Sequence, residues 1–117
     1  MLDWPELAAM LEAATGADGR LDGAVAAGFG VSPADYTASV DHCRDLVASV
    51  LPGWALHVGF GASGIFPYAL LSNGDRRHMA DAGTVPLAIL RAAAAVLAEG
   101  AAHARSSPGI PRVTDGA

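Results

Sequence analysis

A turn signal in the second half of the chain constrains its fold more than any other feature. The tetrapeptide Ser72-Asn73-Gly74-Asp75 lies between two apolar stretches, and an Asn-Gly pair in that setting is the strongest short-range signal for a β-hairpin. The pattern predicts a strand over residues 65–72 and a shorter one over residues 76–80, with the Asn-Gly pair turning the chain between them. The fold is therefore expected to contain an antiparallel hairpin.

A third strand is predicted before the hairpin. Within residues 54–60, large apolar side chains alternate with smaller or polar ones, which is the two-residue period of a half-buried strand. The large apolar positions are Trp54, Leu56, Val58 and Phe60. The sequence thus predicts a meander of about three strands.

Helical patterns occupy most of the remaining chain. Apolar residues recur at helical spacing over residues 3–14, 21–29, 40–51 and from 84 onward. Asp3 is predicted to cap the first helix, Thr37 or Ser39 the third, and Thr84 begins the last. The predicted fold class is α+β: a small antiparallel β-meander packed with helices, as a two-layer or an α/β/α sandwich.

The length of 117 residues allows one domain. We expect residues 1–103 to form it and residues 104–117, rich in Ser, Pro and Gly, to be a disordered tail. Only two Trp, two Tyr and three Phe are present, so the core is expected to be shallow. A shallow core favours burial against a second subunit. We therefore expect a homo-oligomer, most simply a dimer, formed through the alanine-rich face of the last helix.

The charge balance argues against nonspecific binding to nucleic acids. The net charge is −5 and no lysine is present, whereas nonspecific binding requires many phosphates to be neutralised. The order of helix, three strands and helix also fits a double-stranded-RNA-binding domain, but the last helix lacks the basic N-terminus that such a domain needs. A few arginines remain compatible with one small anion.

Cysteine usage and the N-terminus suggest an intracellular protein. Cys43 is the only cysteine, so no internal disulfide can form, which fits a reducing cytoplasm. The chain begins Met-Leu-Asp-Trp-Pro-Glu, with an acid where a signal peptide would carry positive charge. The longest apolar run is too short to span a bilayer. We expect no membrane segment.

Residues 59–64 match the pattern G-x-G-x-x-G but predict no dinucleotide site. That motif must open a helix, and here it leads into a strand. A glycine-rich hairpin is the preferred interpretation, although the loop N–H groups, that of Gly61 included, could contact a phosphate. The four histidines and Cys43 show no metal-ligand spacing. No metal, cofactor or catalytic residue is predicted, and the chain is not expected to be an enzyme.

The concentrated polar patch is Asp75-Arg76-Arg77-His78. Two guanidinium groups could hold a phosphate or carboxylate, with aromatic rings nearby as stacking surfaces; the alternative is an ordinary solvated hairpin end. The predicted ligand-binding residues are Arg76, Arg77, Tyr68, Trp54, His57 and Gly61.

Three segments carry a resemblance to a known family. They are Gly19-Arg20-Leu21-Asp22 with Ala24-Val25-Ala26, then Tyr36-Thr37 with Ser39 and Trp54, then Thr84 with Pro86-Leu87-Ala88-Ile89 and Arg91-Ala92-Ala93. In order and spacing they resemble the phage ABA-sandwich domain, a family of small proteins of bacteriophages and prophages. The chain departs from the family in its additional N-terminal helix and in lacking an aromatic-rich strand before Tyr36. The resemblance implies a viral accessory protein with a layered α/β fold and no catalytic residues.

The expected function follows from this resemblance and from the missing catalytic groups. We expect a non-enzymatic phage or prophage protein that antagonises bacterial anti-phage defence by binding, in the host cytoplasm. The leading interpretation is sequestration of a nucleotide immune signal by the arginines and aromatic rings. The alternative is an anti-CRISPR-type inhibitor that covers the surface of a protein effector with its acidic face.

Overall fold

The expected strands and helices are present in a computed structural model, which describes residues 4–61 and 66–106. In chain order the elements are α1 (Trp4–Ala13), α2 (Gly19–Phe29), α3 (Val40–Val50), β1 (Ala55–Phe60), β2 (Pro67–Asn73), β3 (Arg76–Asp81) and α4 (Val85–Ser106). Within this part of the chain, four helices pack with one three-stranded antiparallel sheet. The prediction of an α+β fold is confirmed.

Several element boundaries differ from the predicted ones by one to three residues. The helix α2 begins at Gly19 because Oδ1 of Asp18 accepts hydrogen bonds from the backbone N–H groups of Arg20 and Leu21, at 2.9 and 3.3 Å. The helix α4 continues to Ser106, beyond the predicted start of the tail at residue 104. The remainder of the predicted tail, the predicted cap Asp3 and the predicted strand start at residue 65 lie outside the described residues.

The hairpin is present, but its loop is shifted by one residue. Asn73 pairs with Arg76, so the two loop residues are Gly74 and Asp75 instead of the predicted Asn73 and Gly74. Gly74 has a φ of 61°, whereas Asp75 has no positive φ. A glycine with positive φ at the first central position is the type II′ arrangement, which suits the twist of the flanking strands.

The helices cover one face of the sheet, whose strand order is β1-β2-β3. On the covered face, Ala69 and Leu71 of β2 are fully buried. On the other face, His57, Arg77 and Met79 are exposed. We call this second face the open sheet face; by register and alternation it consists of Ala55, His57, Gly59, Tyr68, Leu70, Ser72, Arg77, Met79 and Asp81. Of the two predicted arrangements, the described part of the chain has the two-layer sandwich.

The central element of the helical layer is α4, which contacts β2, β3, α1 and α3. Its alanines are largely internal: Ala88, Ala92 and Ala93 are fully buried and Ala94 nearly so, while Ala95 is exposed. The small side chains let the helix approach the sheet and its neighbouring helices closely. The expectation of a free alanine face for a second subunit is therefore wrong, because the chain itself covers most of that face. No described helix contains a stretch long and apolar enough to cross a membrane.

Arg91 joins α4 to the end of α1. Its Nε donates to the carbonyl of Leu11 at 2.9 Å, and its Nη2 donates to the carbonyls of Glu12 at 2.9 Å and Ala14 at 3.3 Å. The last carbonyls of a helix have no partner within the helix, so the guanidinium group supplies a C-terminal cap to α1. The same side chain bonds the sheet, since Nη1 donates to the carbonyl of Asp81 at 2.8 Å.

Thr37 and Ser39 were the two predicted caps of α3, and the structure distinguishes between them. Ser39 is the cap, and its Oγ accepts from the backbone N–H of His42 at 3.1 Å. Thr37 is buried and bonds Asp22 in α2 instead. Sequence alone could not separate the two, because both residue types are good caps and the contact of Thr37 spans 15 residues.

Candidate functional site

The predicted ligand-binding residues are divided between the two faces of the sheet. Arg76 and Arg77 are consecutive in β3, and consecutive side chains of a strand point to opposite faces. Arg76 lies on the helix-covered side with Trp54, and Arg77 lies on the open sheet face with His57 and Tyr68. The structure therefore does not bring the two arginines together on one face of the sheet.

At the hairpin end of the covered side, four side chains form what we call the hairpin-end cluster: Trp54, Arg76, His78 and Glu99. The Arg76 guanidinium carbon lies 5.0 Å from the centroid of the Trp54 ring, within cation–π range. Arg76 Nη2 and His78 Nε2 each lie 3.0 Å from Glu99 Oε1. Arg76 therefore already has an anionic and an aromatic partner within the chain.

The hydrogen bonds of the hairpin-end cluster change the pKa of Glu99. Its hydrogen bonds from His78 and then from Arg76 hold the pKa of the carboxyl below its usual value. More than half of the Glu99 side chain is exposed, so the cluster is a surface network with a modest contribution to stability. We interpret the hairpin-end cluster as a set of contacts that links the hairpin to α4.

The open sheet face presents aromatic and sulfur-containing side chains to solvent. The rings of His57 and Tyr68 lie 5.9 Å apart, and Met79 is 69% exposed. A Cβ atom at Gly59 would lie 3.1 Å from the Tyr68 hydroxyl, so the absent side chain lets the tyrosine cross the neighbouring strand. Only Arg77 and Asp81 carry charge on this face.

A groove of about 580 Å³ opens where β3 meets the loop end of the sheet. It is lined by Glu12, Gly61, Phe66, Tyr68, Met79, Ala80, Asp81, Arg91 and Ala95. Two predicted ligand-binding residues, Gly61 and Tyr68, are among them. Sequence reasoning missed Phe66, which is 57% exposed. Its position after a glycine-rich segment and two residues before Tyr68, on the same strand period, was the available signal.

The loop after β1 does not offer its first N–H to a ligand. The backbone N–H of Gly61 donates to the carbonyl of Phe66 at 3.4 Å and so extends the ladder between β1 and β2. The N–H of Gly61, which was predicted as a possible phosphate contact, therefore already has an acceptor within the sheet. Residues 62–64 of the glycine-rich pattern lie outside the described residues.

The surroundings of Cys43 are those of a structural thiol. It is fully buried, and its Sγ donates to the carbonyl of Tyr36 at 2.9 Å. Burial, and secondarily the charges of Asp22 and Asp35, raise its pKa to about 12. A thiol that stays protonated is a poor nucleophile. Among the side chains that the structure describes, His, Cys, Asp and Glu form no group of three that could hold a metal ion.

The arrangement offers two contact surfaces, the open sheet face with its exposed Met79 and the groove with its exposed Phe66. No family profile, curated protein or solved structure matches this chain.

Proposed function

We propose that this protein is a non-enzymatic accessory protein of a phage or prophage that antagonises bacterial anti-phage defence by binding a host effector protein in the cytoplasm. The proposed contact surface is the open sheet face, extended by Phe66. The observation that carries the proposal is the one-sided covering of the sheet, which leaves a regular surface exposed. The phage context rests on the resemblance of the three segments between residues 19 and 93.

The chemistry of the open sheet face supports a protein partner. Aromatic residues, Met and Arg are enriched in protein interfaces, and this surface offers Tyr68, Met79 and Arg77, with Phe66 beside it. Its two charges, on Arg77 and Asp81, cancel, whereas the whole chain carries −5. Binding there would derive mainly from burial of apolar area.

This surface differs from the acidic one first considered for an inhibitor. Asp41 and Asp45 are exposed on α3, in the helical layer. A basic channel would be attracted to that layer, whereas the open sheet face would meet a neutral and apolar surface. We place the contact on the sheet because Met79 and, beside it, Phe66 expose large apolar side chains, whereas the charged side chains of α3 are well solvated without a partner.

A second candidate is a small phosphorylated ligand, such as a nucleotide signal, held in the groove. The specific observation in its favour is that Gly61, Phe66 and Tyr68 line one cavity with Arg91. Calorimetry with a panel of cyclic nucleotides tests it: binding that Tyr68→Ala weakens and Arg76→Ala leaves unchanged would support this candidate. An absence of heat with every nucleotide would remove it.

Plaque assays test the protein-binding proposal. Cells that carry single defence systems and express the protein should regain sensitivity to phage for one system. Met79→Glu should abolish this effect and weaken affinity for that system's effector about 30-fold or more, as for a central interface residue. The matched control is Met10→Glu on α1, where the methionine is also exposed. Full activity of folded Met79→Glu would contradict the proposal.

A further inference from the structure

The two edges of the sheet differ in how they are protected. The backbone N–H of Ala82 donates to the carbonyl of Pro67 at 3.2 Å, which continues the ladder between β2 and β3. Because bonded residues alternate along an antiparallel strand, Arg77, Met79 and Asp81 direct their backbone groups away from β2. This edge carries two charged side chains, and Arg91 binds the carbonyl of Asp81 at 2.8 Å. Charge and capping are usual defences of an edge strand.

The edge formed by β1 has no such protection. The bond from Gly61 to Phe66 belongs to the ladder between β1 and β2. By the same alternation, Leu56, Val58 and Phe60 direct their N–H and C=O groups away from β2. The strand contains neither proline nor any Asp, Glu, Lys or Arg. A regular, uncharged edge of this kind is a template for pairing with another strand.

The side chains of the same three residues are incompletely covered. Leu56 and Val58 lie on the helix-covered face, yet both are only half-buried, and Phe60 at the strand end is 61% exposed. On β2, the neighbouring Ala69 and Leu71 of this face are fully buried. Within the described residues, the apolar layer therefore ends unfinished at β1, on the edge where the outward backbone groups also have no partner.

We propose that β1 pairs antiparallel with β1 of a second copy of this chain, about a two-fold axis at Val58. In this register Val58 faces its symmetry mate, and Leu56 faces Phe60 of the second copy. All three outward residues then donate and accept along one ladder. Directly opposite residues point to the same face of a sheet, so both helical layers lie on one face of the combined six-stranded sheet. The incompletely covered apolar residues of the two chains then meet at the interface.

A second copy fits this edge better than an unrelated strand. The outward residues Leu56, Val58 and Phe60 are all apolar, so reversing the strand about Val58 places apolar side chains opposite apolar side chains, which is the self-complementarity that a two-fold interface requires. Each chain carries a net charge of −5, and the pairing strand brings no charged residue into the contact. The dimer would join two open sheet faces into one continuous surface, although the pairing does not depend on the proposed function.

Sedimentation of the full chain tests the proposal. The unmodified protein should sediment at micromolar concentration with the mass of two 11.8 kDa chains. Val58→Pro should sediment as a folded single chain, because the N–H that proline removes points outward and makes no ladder bond within the monomer. The matched control is Met79→Pro, which removes an outward N–H from the other edge and should leave the dimer intact. An unmodified monomer, or a dimeric Val58→Pro, would overturn the proposal.

Hydrogen exchange of the unmodified protein gives a second measurement in case Val58→Pro does not fold. The amides of Leu56, Val58 and Phe60 should exchange more slowly as protein concentration rises, while those of Arg77 and Met79 should show no such dependence. Exchange at all five positions that is independent of concentration through the micromolar range would exclude pairing at β1.

Discussion

The backbone N–H and the hydroxyl of Thr37 both donate to the same carboxylate oxygen of Asp22, at 2.7 and 2.6 Å. The hydroxyl oxygen also accepts from the backbone N–H of Asp18 at 2.8 Å. One buried threonine thus ties the segment before α3 to the first turn of α2. Two of the segments that carry the family resemblance meet at this contact.

Removing the Asp22 carboxylate should destabilise the fold. Asp22→Ala leaves the Thr37 N–H without its acceptor in a largely buried position, and we expect a loss of about 2–3 kcal/mol. Asp22→Asn should lose less, because its amide oxygen can still accept. Urea unfolding measures both. Equal stability of Asp22→Ala and the unmodified protein would show that the contact is dispensable.

The alanines of α4 occupy both buried and exposed positions, so the same substitution at two of them tests how the helix is packed. Ala92→Glu would bury a carboxylate where the side chain is 0% exposed, so we expect loss of more than about 4 kcal/mol or failure to fold. Ala95→Glu places the same group at an exposed position and should change stability by no more than about 0.5 kcal/mol. Circular dichroism during thermal unfolding distinguishes them. Similar melting temperatures for the two variants would contradict the assigned packing of α4.

Replacing Arg91 should loosen α1. Arg91→Met keeps much of the apolar stem but removes every bond to the carbonyls of Leu11, Glu12 and Ala14. We expect a loss of about 2–3 kcal/mol and faster hydrogen exchange in α1 than in α3. Arg91→Lys should recover only part of the stability, since an ammonium group cannot reproduce the fork of the guanidinium. Exchange in α1 that stays unchanged in Arg91→Met would refute the capping role.

The pKa of Glu99 should report the hairpin-end cluster. NMR titration should place it below the usual value of 4.5, and His78→Ala should raise it more than Arg76→Ala, because the bond from His78 is the larger cause. A carboxyl with a lowered pKa stabilises the fold above the unfolded pKa, and this contribution is lost as the pH falls through the folded pKa. If neither substitution changed the pKa of Glu99, the hairpin-end cluster would not form as described.

Cys43 should resist alkylation in the folded protein. With its pKa raised to about 12, the buried thiol stays protonated, and iodoacetamide at about pH 8 should modify it only after unfolding. Since the folded pKa lies above the unfolded one, its contribution to stability is complete below pH 9.0 and declines as the pH rises toward about 12. Mass spectrometry with and without urea measures the modification, and rapid labelling of the native protein would contradict the assigned burial.

The sequence predicted the parts of the fold that depend on local signals. The hairpin near Gly74 and the alternation of β1 follow from patterns a few residues long. The loop was misplaced by one residue because Asn73-Gly74 and Gly74-Asp75 both suit a two-residue turn, and pairing with β1 and the helices also helps to set the register. The alanine face of α4 was misjudged because small residues suit both a buried helix and a free interface.

The candidate site was less predictable than the fold. Adjacent strand residues point to opposite faces, so placing Arg76 and Arg77 in one ligand site contradicted the predicted strand itself. Arg91 was missed because its partners in and directly after α1 lie 77 to 80 residues away. Contacts between distant segments produce no periodic pattern that could be recognised in the sequence.

The position of α1 has a consequence for the order in which the chain folds. The three strands and α4 follow one another along the chain and contact their sequence neighbours, so they can assemble by closing short loops. The helix α1 reaches α4 only through contacts that close a loop of most of the chain, such as the bond from Arg91 to Leu11. Closing a long loop costs more entropy and slows folding. We therefore expect the sheet and α4 to form first and α1 to dock last, which also makes α1 the first element to detach during partial unfolding.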